Sequence, residues 1–134
     1  MNLAPTARPA WSVIDLDALA HNVRTIRAML RPSDRFYAVC KNNAYGCGTG
    51  ECAQLMLANG ADAFAVSDPE DAERLRAAKI DAPVLLYAST TPAMAPFVAE
   101  LDLIVTVHDF DGLQAYERLR RPLKVHVEVD CGYG

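Results

Sequence analysis

The chain has 134 residues, enough for one small domain or for part of a larger one. Hydrophobic residues make up 51% and charged residues 22%, a balance that suits a globular protein and excludes a disordered one. A formal net charge of −4 gives no electrostatic reason to expect nucleic acid or an anionic membrane as a partner, and no stretch is apolar enough to span a bilayer.

Met1 to Pro9 lacks the basic start and apolar run of a secretory signal. Trp11 to Ile14 reads as a short strand. From Asp15 to Leu30 the residues Leu16, Leu19, Val23, Ile26 and Leu30 recur at helical spacing, with Asp15 or Asp17 as cap and Pro32 as stop. Phe36 to Lys41 is a strand-like run that enters a segment with Gly46, Gly48 and Gly50, read as a flexible loop. A helix is expected around Glu51 to Ala58, stopped by Asn59-Gly60.

The pattern then repeats. Ala63 to Val66 reads as a buried strand, and Asp68-Pro69-Glu70-Asp71 opens a helix with a cap, a first-turn proline and acids at the positive end of the dipole. Pro83 to Tyr87 is the next strand, and Thr91-Pro92 opens the next helix in the same way. Leu103 to Val107 is a further strand. Asp109 caps a helix running to about Arg120, Pro122 breaks it, and Lys124 to Asp130 is the last strand. Arg118, Arg120 and Arg121 read as a solvated helix end.

Alternating strands and helices with short connections imply parallel βαβ units, so the class is α/β. Part of a (β/α)₈ barrel and a doubly wound sheet both fit this order. A complete barrel needs about 250 residues and eight strands, so the barrel reading gives about the first five βα units and predicts a truncated protein.

The segment Ala38-Val39-Cys40-Lys41-Asn42-Asn43-Ala44-Tyr45-Gly46-Cys47-Gly48 carries the most chemistry. Alternation puts Tyr37, Val39 and Lys41 on one face and Phe36, Ala38 and Cys40 on the other. A lysine at the C-terminal end of a strand points into the mouth of a barrel, where such folds place their active sites. An amine beside apolar walls is less solvated, which favours the neutral nucleophile that Schiff-base chemistry requires. On local physics alone, the start of a solvated loop is the better reading of Lys41, since strand-end lysines are common.

In the last strand Val125, Val127 and Val129 share one face, and Lys124, His126, Glu128 and Asp130 share the other. Within a barrel the polar set faces the interior. In an edge strand it is a wet face. His21 and His108 read as solvated or capping residues. The cysteines at 40, 47, 52 and 131 lack the paired spacing of a zinc site, and reduced cytoplasmic thiols are expected.

The lysine followed four residues later by Tyr-Gly and a second glycine resembles the cofactor motif of the alanine racemase family, a group of fold-type III pyridoxal 5'-phosphate (PLP) enzymes. Trp11-Ser12-Val13-Ile14-Asp15-Leu16-Asp17-Ala18-Leu19 with Asn22 resembles the opening of that family, and Val125 to Gly134 resembles its strand-and-loop motif ending in Asp-Thr-Gly-Met. The three motifs follow in the family's order, so the resemblance covers nearly the whole chain.

The resemblance implies a PLP-dependent isomerase that racemizes a small amino acid. It implies that Lys41 carries PLP covalently and acts as one catalytic base, and that the Tyr45 hydroxyl contacts the cofactor phosphate. The second base would be a tyrosine from the β-rich second domain of a partner subunit, so a homodimer is expected. Residues 1–14 would supply a strand to that second domain, and residues 15–134 the first part of the PLP-binding barrel. A fragment of this extent is expected to be inactive by itself.

Four residues depart from the family pattern. Cys47 stands where histidine is frequent, Glu128 where many members carry a lysine that becomes carbamylated, and Cys131 and Tyr133 replace Thr and Met. Glu128 supplies a carboxylate directly, and with Asp130 it is a candidate polar residue of the substrate site. The departures leave open a PLP-dependent D-amino-acid lyase or aldolase of the same fold type, or a non-catalytic PLP-binding protein.

Overall fold

Helix α1, Leu16–Met29, begins where the Asp15 carboxylate accepts a hydrogen bond from the Ala18 amide at 2.9 Å. Two more aspartates do the same work. Asp68 accepts from the Glu70 amide at the start of α4, Pro69–Ala77, and Asp109 accepts from the Gly112 amide at the start of α6, Phe110–Glu117. Thr91 makes no such bond. The segment it opens is a 3₁₀ turn, Pro92–Met94, that leads into a short α5, Ala95–Glu100. A second proline, Pro96, sits in the first turn of α5.

The computed structural model describes residues 10–132. Its strands are β1 (Tyr37–Val39), β2 (Ala63–Val66), β3 (Val84–Leu86), β4 (Ile104–Val107) and β5 (Val125–Val127). They form one parallel sheet in the order β1-β2-β3-β4-β5. A doubly wound sheet reverses its strand order at a switch point. This order never reverses, so the sheet is wound in one direction, as in a (β/α)₈ barrel, and corresponds to its first part.

The register sorts the side chains into two faces. Phe64, Val84, Leu86 and Val105 point to the helix side, where they join Leu75 and Val98 in the buried core. Val39, Ala65, Leu85 and Ile104 fall in register on the opposite face, the interior side of a barrel. Each apolar strand residue fully buried on the helix side contributes on the order of 1.5–3 kcal/mol. The sheet is therefore held chiefly from that side.

β5 pairs with β4 alone and so is an edge strand. Val125 and Val127 stand opposite Val105 and Val107 on the helix side, and His126 stands opposite Thr106 on the interior side. The two readings of this strand hold together: the polar set takes the interior side, and the strand is an edge. Among the described residues no helix covers its valines, and Val127 is 69% exposed.

Residues 10–15 form no strand, which departs from the reading of Trp11 to Ile14. A strand needs a neighbour's backbone groups, and the described strands pair only with one another. Trp11 and Val13 are exposed. Residues 1–9 of the expected N-terminal segment, and Tyr133 and Gly134 at the other end, lie outside the described residues.

Candidate active site

The strand ladder of β1 runs one residue past its formal end, because the Cys40 amide donates to the Ala65 carbonyl at 2.9 Å. Lys41 follows at once. It is half-buried and lies at the C-terminal end of the strand. The next four residues do not form the flexible loop expected of a Gly-rich segment. Asn42, Asn43, Ala44 and Tyr45 have φ of 52°, 54°, 51° and 57°, a complete left-handed turn, α2, spanning Lys41–Tyr45.

Left-handed backbone costs an L-residue with a full side chain about 1–2 kcal/mol, and asparagine tolerates it better than most. The Asn42-Asn43 pair therefore starts the turn at reduced cost, and Gly46 at φ 86° ends it. Inside, the Ala44 amide donates to the Cys40 carbonyl and the Gly46 amide to the Asn42 carbonyl. Asn43 Oδ1 accepts from the amide and hydroxyl of buried Thr49, which ties the turn to α3, Thr49–Ala58. Gly50 lies inside α3, where a Cβ would stand 3.3 Å from the Ala78 side chain. That glycine serves close helix packing and not loop flexibility.

Tyr45, at the end of the turn, is 63% exposed, and Lys41 Nζ lies 6.0 Å from the centroid of its ring. An amine and a phenol thus project from one turn. Beneath them Cys40 and Cys52 are buried. Burial, with smaller contributions from the neighbouring Cys52 and Asp71, pushes the Cys40 thiol up to about 12, so it stays protonated and inert. Cys47 and Cys131 are exposed.

The remaining candidates lie at the opposite edge of the sheet. The Glu128 amide donates to the Val107 carbonyl, which continues the β4–β5 ladder, and the Glu128 carboxylate pairs with His108 Nδ1. His108 and Glu128 extend the interior face defined by Thr106 and His126. Asp130 is exposed, and its Oδ1 accepts from the Gly132 amide at 2.7 Å, a local turn. The sheet separates the pair Lys41 and Tyr45, just beyond its first strand, from Glu128 and Asp130 beyond its fifth.

A cleft of about 430 Å³ opens beside the turn, lined by Ala18, Leu19, Val39 and Tyr45 among others. Its lining is mostly apolar, with Asp15 and Asn22 among it, and it includes none of Lys41, Glu128 and Asp130. Concavity alone does not find the site; strand ends and chemistry do. Among the described residues, no group of three or more His, Cys, Asp or Glu side chains is arranged to hold a metal ion, and no helix is long and apolar enough to cross a membrane.

Residues 14–134 match the family model described as "Alanine racemase, N-terminal domain". The chain belongs to the alanine racemase family. It is 34% identical over 130 residues to the alanine racemase of Methanococcus maripaludis, a match that covers 94% of this chain and 35% of the relative. It is 44% identical over 128 residues to the alanine racemase of Pseudomonas taetrolens, covering 93% and 35%. The fold agrees with the crystal structure of alanine racemase from Bacillus anthracis with bound L-Ala-P at a TM-score of 0.89 and 33% identity, covering 98% of this chain and 35% of that one. The chain spans about a third of the length of the curated relatives it matches.

Two features of this alanine racemase family member escaped the sequence reading. His108 is a partner of Glu128 and not a solvated cap, a pairing that follows from the β4–β5 register. Asp71, read as a complement to the helix dipole, is instead buried against the turn that follows Lys41. The signal that was present is Asn42-Asn43, a pair suited to left-handed backbone.

Proposed function

We propose that this chain supplies the cofactor lysine of a PLP-dependent amino-acid racemase of the alanine racemase kind. One observation carries the reading: a half-buried lysine at the C-terminal end of the first strand, with Tyr45 projecting from the same left-handed turn. In a (β/α)₈ fold that end of the strands is where active sites are built.

When bound, PLP supplies an electron sink for the carbon from which the proton is removed. Lys41 and Tyr45 are the residues that would hold it, Lys41 through its amine and Tyr45 through its hydroxyl toward the phosphate. Lys41 would then move the proton on one face of the substrate. Racemization requires a second acid–base group on the other face, which the family resemblance assigns to a partner subunit, so the working form is read as a homodimer. Residues 1–14 are assigned to the second domain and residues 15–134 to the barrel.

Glu128 and Asp130 are assigned to the polar lining of the substrate site, with a small amino acid as substrate. A second reading, a D-amino-acid lyase or aldolase of the same fold type, is left open by Glu128. A glutamate held by His108 gives this lining a carboxylate without any modification.

The test is to load the protein with PLP, reduce with borohydride and map the pyridoxyl group. A label on Lys41 is expected. A label confined to Lys79 or Lys124 overturns the assignment. Incubating a barrel-complete form with L-alanine and with D-threonine then separates racemization from carbon–carbon cleavage.

A further inference from the structure

The left-handed turn after Lys41 leaves a problem at its start. In any helical turn the first amides have no partner within the turn. Here these include the Asn42 and Asn43 N–H groups, since the internal bonds begin with the Ala44 amide. Both are taken by one side chain from another helix. Asp71 Oδ2 accepts from the Asn42 amide at 2.6 Å, and Asp71 Oδ1 accepts from the Asn43 amide at 3.0 Å. Arg74 Nη1 donates to the same Oδ1 at 2.6 Å.

Asp71 is only 2% exposed. A buried carboxylate is tolerated where its oxygens are hydrogen-bonded, and this one is met by two amides and a guanidinium. The geometry is selective. Each oxygen takes one of two successive amides, which requires those amides to point the same way, as they do at the start of a turn. The contact spans 29 residues of sequence between Asn42 and Asp71. It fixes α2 to α4, as the bonds from Thr49 to Asn43 Oδ1 fix it to α3.

We propose that Asp71 is a positioning residue, which holds the left-handed turn so that Lys41 and Tyr45 present their amine and hydroxyl to one cofactor. The proposal rests on the reading of Lys41 and Tyr45 given above. Strained backbone persists only where its surroundings over-determine it. Without the carboxylate, two orphan amides and four left-handed residues favour relaxation of the turn. The direction of Lys41 and its relation to Tyr45 are then lost, while the sheet, to whose core the turn adds Ala44 alone, remains.

The experiment uses the full chain and its Asp71→Ala, Asp71→Asn and Asp71→Glu variants. Amide hydrogen exchange is read at Asn42 and Asn43 and, as reference, at Phe64 and Val105 in the sheet. PLP is then added, the imine is reduced, and the label on Lys41 is compared with that on Lys79 and Lys124. In the wild type, Asn42 and Asn43 should be protected and the label concentrated on Lys41. In Asp71→Ala both protection and preference should fall by about tenfold or more, corresponding to about 1.4 kcal/mol, with sheet protection kept. Asp71→Glu should restore part of both.

Should Asp71→Ala unfold the chain, the near-isosteric Asp71→Asn gives the same comparison. A purely structural carboxylate would lower the melting temperature and leave the label distribution unchanged, and that result overturns the proposal. So does unchanged protection of Asn42 and Asn43. A wild-type label spread evenly over the three lysines overturns the cofactor reading, and the exchange data still decide separately whether the clamp exists.

Discussion

His108 Nδ1 meets the Glu128 carboxylate at the C-terminal ends of two adjacent parallel strands. The register brings them together. Val107 stands opposite Val127, so the next residue on each strand lies side by side on the interior face. A histidine read as a cap and a glutamate read as a substrate-site residue are thereby one unit.

Glu128→Gln should barely change stability. The Glu128 side chain is 49% exposed, and the backbone bond from its amide to Val107 survives the substitution. Exposed pairs contribute about 0–1 kcal/mol, so the urea midpoint should move by no more than that allows. A loss of several kcal/mol would show that the pair is a buried structural element. His108→Gln should give the same small change, and the double variant should cost no more than the larger single one.

The thiols should divide into two classes. Cys47 and Cys131 are exposed and should react with iodoacetamide in the folded chain, while Cys40 and Cys52 should react only after unfolding. Burial raises both buried thiols, Cys40 to about 12. A thiol raised in the folded state contributes stability below its ordinary value of about 8.5 and loses it as pH rises toward the folded value. Denaturation midpoints should therefore fall above about pH 8.5, and Cys40→Ala should flatten that alkaline slope. Rapid labelling of Cys40 in the native chain would contradict the burial.

Much of the fold was legible because local and global signals agree. Asp15, Asp68 and Asp109 each sit before an apolar helical pattern, and each caps its helix. The run Ala63 to Val66 is a strand of that span. Strand order was not legible, because periodicity carries no information about neighbours. The turn at Asn42 to Tyr45 was hidden for a different reason. Its stabilising partner, Asp71, lies in another helix, and glycines nearby made flexibility the simpler reading. Arg121 was read as solvated, yet it donates to the Ala99 carbonyl near the end of α5 at 2.7 Å. Long-range polar contacts of this kind follow from tertiary placement and leave no local pattern.

Acid should destabilise the chain through Asp62. Its carboxylate accepts from the Phe36 amide at 2.7 Å and from Arg27 Nη1 at 2.9 Å, which ties the entries to β1 and β2 to helix α1. The Phe36 amide chiefly, with Arg27 and Arg35 adding, holds this carboxyl below its ordinary value of 3.8. Asp34 is lowered likewise, chiefly by the Arg31 side chain. A depressed carboxyl contributes stability above its ordinary value and loses it as pH falls through the folded one. Stability should thus decline from about pH 4 downward, and Asp62→Asn should weaken the chain at neutral pH and reduce that acid slope. Urea midpoints across the acid range test this, and an unchanged slope in Asp62→Asn would refute it.

The 134-residue chain alone should not racemize amino acids. Removing a proton from one face of a carbon and returning it to the other needs two acid–base groups on opposite sides. On the proposed reading Lys41 serves one side. Glu128 and Asp130 lie beyond the fifth strand, across the sheet from the turn that carries Lys41. The chain spans 35% of the length of the racemases it resembles. β1 and β5 each leave one row of backbone groups unpaired, and Val125, Val127 and Val129 are exposed on the edge strand. Such edges favour self-association. Imine formation at Lys41 should therefore occur without turnover. The measurement is chiral chromatography of L-alanine incubated with the chain and PLP, against PLP alone and against Lys41→Ala. Turnover above that of free PLP, lost in Lys41→Ala, would mean that self-association brings a second acid–base group to the face opposite Lys41.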